Sequence, residues 1–230
     1  MQAKEIKEQL QFLIEQASSL DHNLARRLDE INRWVKDIKA GSLTAKPFVI
    51  AFLLEVITDS TVWLVIQSLP TESERQSKFE QMTPAERYWY KYLFPKWLNE
   101  TDPKFGIWKQ KLMAGEFNYA DDDIIKLIAQ DVIRREGTFW QRYIADLSMA
   151  TDLIVSSSQN KALCVQVTTV SEEFNQYKYQ DWKNTLLLWE IERGLFLSYN
   201  PATANFIHQL VNVALHNSAY LSGGKYLKFS

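Results

Sequence analysis

Two short apolar runs on either side of a polar turn, followed by a helical stretch and a third apolar run, constrain this chain more than any other feature. Residues 152–155 (Asp-Leu-Ile-Val) are apolar and of strand length, 156–161 are polar, and 162–170 are β-branched and alternating. Strand, turn, strand predicts a β-hairpin. Residues 172–189 return to helical periodicity, with Trp182, Leu186, Leu187 and Trp189 apolar. Gly194 is expected to close that helix, and 195–199 read as a strand ended by Asn200-Pro201. A strand, a helix and a strand in succession imply a parallel pair joined by a crossover. Residues 138–147 predict a short helix before the hairpin. A last helix is expected from about Thr203 to Tyr220, with Gly223-Gly224 leading into a short terminal segment.

The first half reads as helical throughout. Ile6, Leu10, Leu13, Ile14, Leu20, Leu24, Leu28, Ile31 and Val35 recur at helical spacing, predicting one amphipathic helix or two broken near Ser18-Ser19, with Asp21 as a cap. Gly41-Ser42 ends that unit. Residues 47–69 are apolar around Glu55, Asp59 and Ser60, and predict either a pair of buried helical segments about a polar break or one buried helix. Carboxylates at that depth argue against a membrane span. Thr83-Pro84-Ala85-Glu86 has the order of a capped helix start. The helix it opens is rich in aromatic residues (Tyr88, Trp89, Tyr90, Tyr92, Phe94, Trp97), which serve as core packing or as a docking surface for a protein partner. Residues 99–103 predict a turn, and a further helix follows that Gly115 stops. Asp121, Asp122 and Asp123 precede an apolar periodic run and suit a helix N-terminus better than a metal cluster. The division expected is a helical region over 1–120 and an α/β core over 121–230.

Composition narrows the function classes. Hydrophobic residues make up 46% of the 230, and the formal net charge of −2 gives no global pull toward nucleic acid or anionic lipid. Cys164 is the single cysteine, so no internal disulfide forms, and no Cys/His cluster has zinc spacing. Residues 1–10 do not have the pattern of a signal peptide, and a cytoplasmic location is expected. No Gly-rich phosphate loop and no Gly-x-Ser-x-Gly elbow occurs. His208 and His216 read as ordinary helix residues.

Asp152 opens one strand of the hairpin and Gln166 lies in the next, so pairing sets them side by side. Two oxygen ligands at a sheet end can hold a hard cation such as Mg²⁺. The pieces Gly137-Thr-Phe-Trp-Gln141, Thr151-Asp-Leu-Ile-Val155 and Cys164-Val-Gln-Val-Thr168 together resemble the PD-(D/E)xK, or restriction-endonuclease-like, nuclease superfamily. That family's core is a helix, three or four strands and a crossover helix. Its signature is an acidic residue on the first helix, an Asp at a strand, and Glu-x-Lys or Gln-x-Lys on the next.

The resemblance implies an α+β or α/β fold of helix, β-hairpin, crossover helix, strand and helix behind the all-helical region. It implies Mg²⁺ or Mn²⁺ on Asp152 and Gln166, with Glu136 or Gln141 completing the ligand set, and DNA or RNA as substrate. Two positions depart from the signature: Gln166 carries no charge, and Thr168 stands where the lysine belongs. Lys183, on the crossover helix, is the expected substitute, ahead of Lys178 and Lys161, which read as surface lysines. Three readings remain: a metal-dependent nuclease, an inactive relative that binds nucleic acid or a protein, or, on the acidic balance alone, an interaction protein with no nucleic-acid role.

Overall fold

The computed structural model describes residues 3–38, 43, 45–115, 119–157, 161–169, 172–200, 202–203 and 205–229, with the side chains of 3, 119–122 and 172–175 outside that description. In chain order the described elements begin with helices α1 (Ala3–Leu20), α2 (His22–Asp37), α3 (Pro47–Gln67), α4 (Glu72–Glu80) and α5 (Pro84–Tyr88). A π-helical turn (Trp89–Leu93) leads into α6 (Phe94–Asn99), α7 (Phe105–Ala114) and α8 (Tyr119–Arg134). Then come β1 (Thr138–Trp140), α9 (Tyr143–Met149), β2 (Leu153–Ser156), β3 (Ala162–Thr168) and α10 (Glu172–Leu188). The chain continues through β4 (Arg193–Ser198), α11 (Phe206–Tyr220) and β5 (Lys225–Phe229).

The chain divides into two units. One comprises residues 1–81 and 95–117, the other 82–94 and 118–230. The cut near residue 118 lies close to the expected boundary, but 82–94 joins the sheet-bearing unit. Gly41-Ser42 and the turn residues 158–160 lie outside the described residues.

In the helical unit, α1 packs on α2 through Ile6, Leu10, Leu24, Leu28 and Ile31, all essentially buried. The break falls at Asp21, just after Ser18-Ser19, and Asp21 caps the second helix as expected. Asp21 is extended (φ −152), and its Oδ1 accepts hydrogen bonds from the Asn23 and Leu24 amides, satisfying donors that the start of a helix leaves open. Its Oδ2 accepts from Trp63 Nε1 at 2.7 Å. Of the two alternatives expected for 47–69, the single buried helix is the one observed: α3 is uninterrupted, with Asp59 and Ser60 fully buried inside the unit. By length and composition alone α3 is apolar enough to cross a membrane; its Val49, Phe52, Leu53 and Val56 are fully buried. Asp102, also buried, accepts from the indoles of Trp97 and Trp108, and Trp108 packs against Phe52 at 4.9 Å between ring centroids.

The sheet-bearing unit holds one five-stranded mixed sheet among its described residues, in the order β1-β2-β3-β4-β5. β1 and β3 each pair antiparallel with β2, while β3–β4 and β4–β5 are parallel. The hairpin and the parallel crossover pair are therefore as expected. Three details differ. Residues 138–140, expected in a helix, are strand β1, and the helix that follows begins only at Tyr143. The terminal segment is a fifth strand. Gly194 lies inside β4, because α10 crosses so closely there that a Cβ would collide with Leu186 and come within 2.8 Å of Trp182.

Alternation splits the sheet's side chains between two layers. Leu153, Val155, Leu163, Val165, Val167, Leu195 and Leu197 pack under α8 and α11. The opposite face carries Cys164, Gln166 and Phe196. It is covered by α10, whose Tyr179 and Trp182 meet Phe196, and by α5 over β1, β2 and β3.

Candidate functional site

Asp152 sits one residue before β2, opposite the second half of β3. Its Oδ2 accepts hydrogen bonds from Gln166 Nε2 at 2.7 Å and from the Val167 amide at 2.6 Å, while its own amide donates to the Val165 carbonyl at 2.9 Å. Pairing of Leu153 with Val165 sets this contact. Both Asp152 and Gln166 are half-buried. Thr168 follows on the same face of β3, paired with Ser198 of the parallel strand β4. One sheet edge thus gathers the start of β2 and the ends of β3 and β4.

The remaining expected residues divide between that edge and elsewhere. Gln141 is exposed in the connection between β1 and α9, on the same edge as Asp152, because β1 runs antiparallel to β2 and its last pair is Trp140 with Ile154. Glu136 precedes the opposite end of β1, where Thr138 pairs with Ser156. The length of β2, about 13 Å at 3.3 Å per residue, separates that end from Asp152. Glu136 is also in the left-handed region, φ 59, where it turns the chain out of α8. It does not join the candidate ligand set. Lys183 is half-buried on α10 beside Trp182, and Lys161 and Lys178 are exposed.

A divalent cation fits these residues poorly. Asp152 is the one carboxylate among the expected residues that reach this edge, and its Oδ2 is already taken by two N–H donors, one of them the side-chain amide of the second expected ligand. Among the described residues no group of three or more His, Cys, Asp or Glu side chains is placed to hold a metal ion. Mg²⁺ is normally held by one or two carboxylates together with substrate phosphates and waters, so a single, already hydrogen-bonded carboxylate is a minimal set.

Compared with known proteins, the chain matches no family model, no curated protein and no solved structure.

Two other polar clusters in this unit belong to packing. Asp131 of α8 is 4% exposed and accepts from Arg134 and, at 2.6 Å, from Arg135. Burial pushes its carboxyl upward, but the two guanidinium groups outweigh that effect and hold it below the usual carboxylate range. Arg135 also reaches Asn212 and His208 of α11, so the cluster ties two helices together. A cleft of about 450 Å³ beside it is lined by Asp131, Arg134, Asn205, Ile207 and His208, and the charges facing it largely satisfy one another.

The second cluster lies at the start of β4. Arg193 donates to the carbonyls of Ala162, Asn217 and Ser218, fastening the end of α11 to β3. Beside it Cys164 is fully buried, which pushes its thiol up to about 12, so it stays protonated at neutral pH and is no nucleophile. Burial likewise raises the Tyr88 phenol well above its usual range.

Sequence reasoning finds the Asp152–Gln166 pair but misses Arg142. This residue ends the extended path of β1, and its guanidinium carbon stacks 4.0 Å from the Trp140 ring centroid. With 138–147 read as helix, nothing places Arg142 at this edge. Strand assignment for 138–140 is the signal that would put it there.

Proposed function

We propose that the sheet-bearing unit is a restriction-endonuclease-like core that has lost its metal centre, and that the chain acts as a non-catalytic binding subunit. The order α8, β1, β2, β3, α10, β4, with α9 inserted after β1, supports the core assignment. The observation that carries the loss of catalysis is the state of Asp152. One of its two carboxylate oxygens, Oδ2, is taken by the Gln166 side chain and the Val167 amide, in the position where the resembled nucleases hold a cation. Thr168 in place of the lysine removes the group that would orient a water and offset developing negative charge. Near-balance of acidic and basic residues favours a protein partner over a phosphate backbone, which is held by clustered Lys and Arg.

The working-nuclease reading keeps one observation: adjacent strands do bring Asp152 and Gln166 together as the signature requires. A cleavage assay on DNA and RNA with Mg²⁺ or Mn²⁺, wild type beside Asp152→Ala, separates the two. No metal-dependent cutting is expected from either protein. The mutant is expected to melt several degrees lower, having lost two hydrogen bonds to a charged acceptor, worth about 1.5–3 kcal/mol each. Cutting by the wild type that disappears in Asp152→Ala would overturn the proposal.

A further inference from the structure

We infer that Arg142 stands in for the missing cation, its guanidinium serving as the counter-charge to Asp152; this rests on the reading above that the metal centre is lost. β1 and β2 pair Thr138 with Ser156, Phe139 with Val155 and Trp140 with Ile154. Continuing by two residues brings Arg142 opposite Asp152. Backbone geometry supports the continuation, since Arg142 is still extended (φ −143, ψ 136) before α9 begins at Tyr143.

Side-chain direction agrees. Alternate residues of a strand share a face, so Arg142 belongs on the face of Trp140, and stacking of its guanidinium on that ring places it there. Trp140 faces the same way as Ile154 and, through the β2–β3 pairing, as Cys164 and Gln166. Asp152 reaches Gln166 on that face. Arg142 and Asp152 therefore share one face and one edge at opposed positions, and opposed residues of antiparallel strands lie about 4.5–5.5 Å apart between Cα atoms. An arginine side chain spans that gap easily.

The chemistry explains the choice of cation. A half-buried carboxylate needs a compensating charge as well as hydrogen-bond donors. In the resembled nucleases a metal ion and a β3 lysine supply positive charge; here Thr168 and Gln166 supply none. A guanidinium carries its N–H groups in one plane, the arrangement that suits a carboxylate, and the Trp140 ring lies 4.0 Å from its carbon. Arg142 also donates to the Gln141 carbonyl at 2.9 Å, which fixes the chain between β1 and α9. The other carboxylate in range is Asp146, one turn into α9, so the test must separate the two. Arg142 is in this account a positioning residue: it closes the edge to divalent cations and locks α9 against β2.

A double-mutant cycle on the full chain tests this, using Arg142→Gln, Asp152→Asn, Asp146→Asn and the double variants in urea denaturation, with Arg142→Lys as the mild variant. Arg142 and Asp152 are expected to be coupled by about five- to tenfold in the unfolding equilibrium constant, Arg142 and Asp146 to be additive, and Arg142→Lys to keep only part of the coupling, since an ammonium restores the charge but not the planar donor group. Mn²⁺ titration of the wild type, followed by melting temperature, is expected to show no shift. Additivity of the Arg142 and Asp152 variants, with the wild type still indifferent to Mn²⁺, would overturn the inference alone. Stabilisation of the wild type by Mn²⁺ that Asp152→Asn abolishes would overturn the proposed function itself.

Discussion

Asp131 and Asp152 are both acidic residues placed among hydrogen-bond donors, but their surroundings make different demands. Asp131 is ionised deep between α8 and α11 because Arg134 and Arg135 hold its carboxyl below the usual range. A carboxyl lowered on folding adds stability that is fully present above its unfolded value, near 3.9, and is lost as pH falls through the lower, folded value. Asp131→Asn is therefore expected to destabilise the protein at pH 7 by roughly 1–3 kcal/mol. The gap from wild type should shrink below about pH 4, as measured by urea midpoints across pH. Part of this cluster is legible in the sequence, since Arg134 and Arg135 lie three and four residues beyond Asp131 on one helix face. His208 and Asn212 complete it from α11, more than seventy residues away, where no local pattern reports them. Asp152 and Gln166 are legible for the opposite reason: a hairpin brings them together across only fourteen residues.

Elements show the same dependence on local signal. α10 and β4 announce themselves by period, and the caps at Asp21 and Thr83 by residue type. β1 has three residues, all half-buried, so neither alternation nor length marks it as a strand. β5 lies at the sheet edge, where its half-exposed Lys-Tyr-Leu-Lys-Phe sequence need not be apolar, and lysines there discourage pairing with other chains. Gly194 misleads because glycine after a helical run usually ends the helix, whereas here it admits Leu186 and Trp182 to the sheet. Gly194→Ala should consequently cost about 1–3 kcal/mol through forced displacement of α10. Gly106, inside α7, supplies the contrast: nothing lies within 4 Å of the place a Cβ would occupy there. Gly106→Ala is expected to stabilise by up to about 1 kcal/mol, because alanine loses less backbone entropy in a helix. Urea denaturation of the two variants side by side should move the midpoint in opposite directions.

At the scale of the whole molecule, periodicity places a boundary near residue 120 but gives no sign that the first segment is interrupted. Residues 82–94 group with the sheet, while 95–117 return to the helical unit. Within the sheet-bearing unit α5 lies over β1, β2 and β3, and Trp89, Tyr90 and Phe94 are essentially buried, Tyr90 packing against Trp140. Trp89, Tyr90 and Phe94 are thus core, while Tyr88 is half-buried and Tyr92 exposed. Burying apolar surface stabilises at roughly 25 cal/mol per Å², and an aromatic side chain contributes about 150–250 Å², so three of them supply roughly 11–19 kcal/mol, as large as the roughly 5–15 kcal/mol of net stability of a whole domain. Residues 119–229 expressed alone should therefore lack a cooperative melt and bind a hydrophobic dye. Residues 82–94 joined to 119–229, with 95–117 replaced by a Gly/Ser linker of equal length, should melt cooperatively and exclude the dye. Calorimetry of the two proteins decides the point: a sharp transition in the shorter one would show that the sheet's second face is stable without α5, and that the α/β core does begin where the periodicity of the chain puts it.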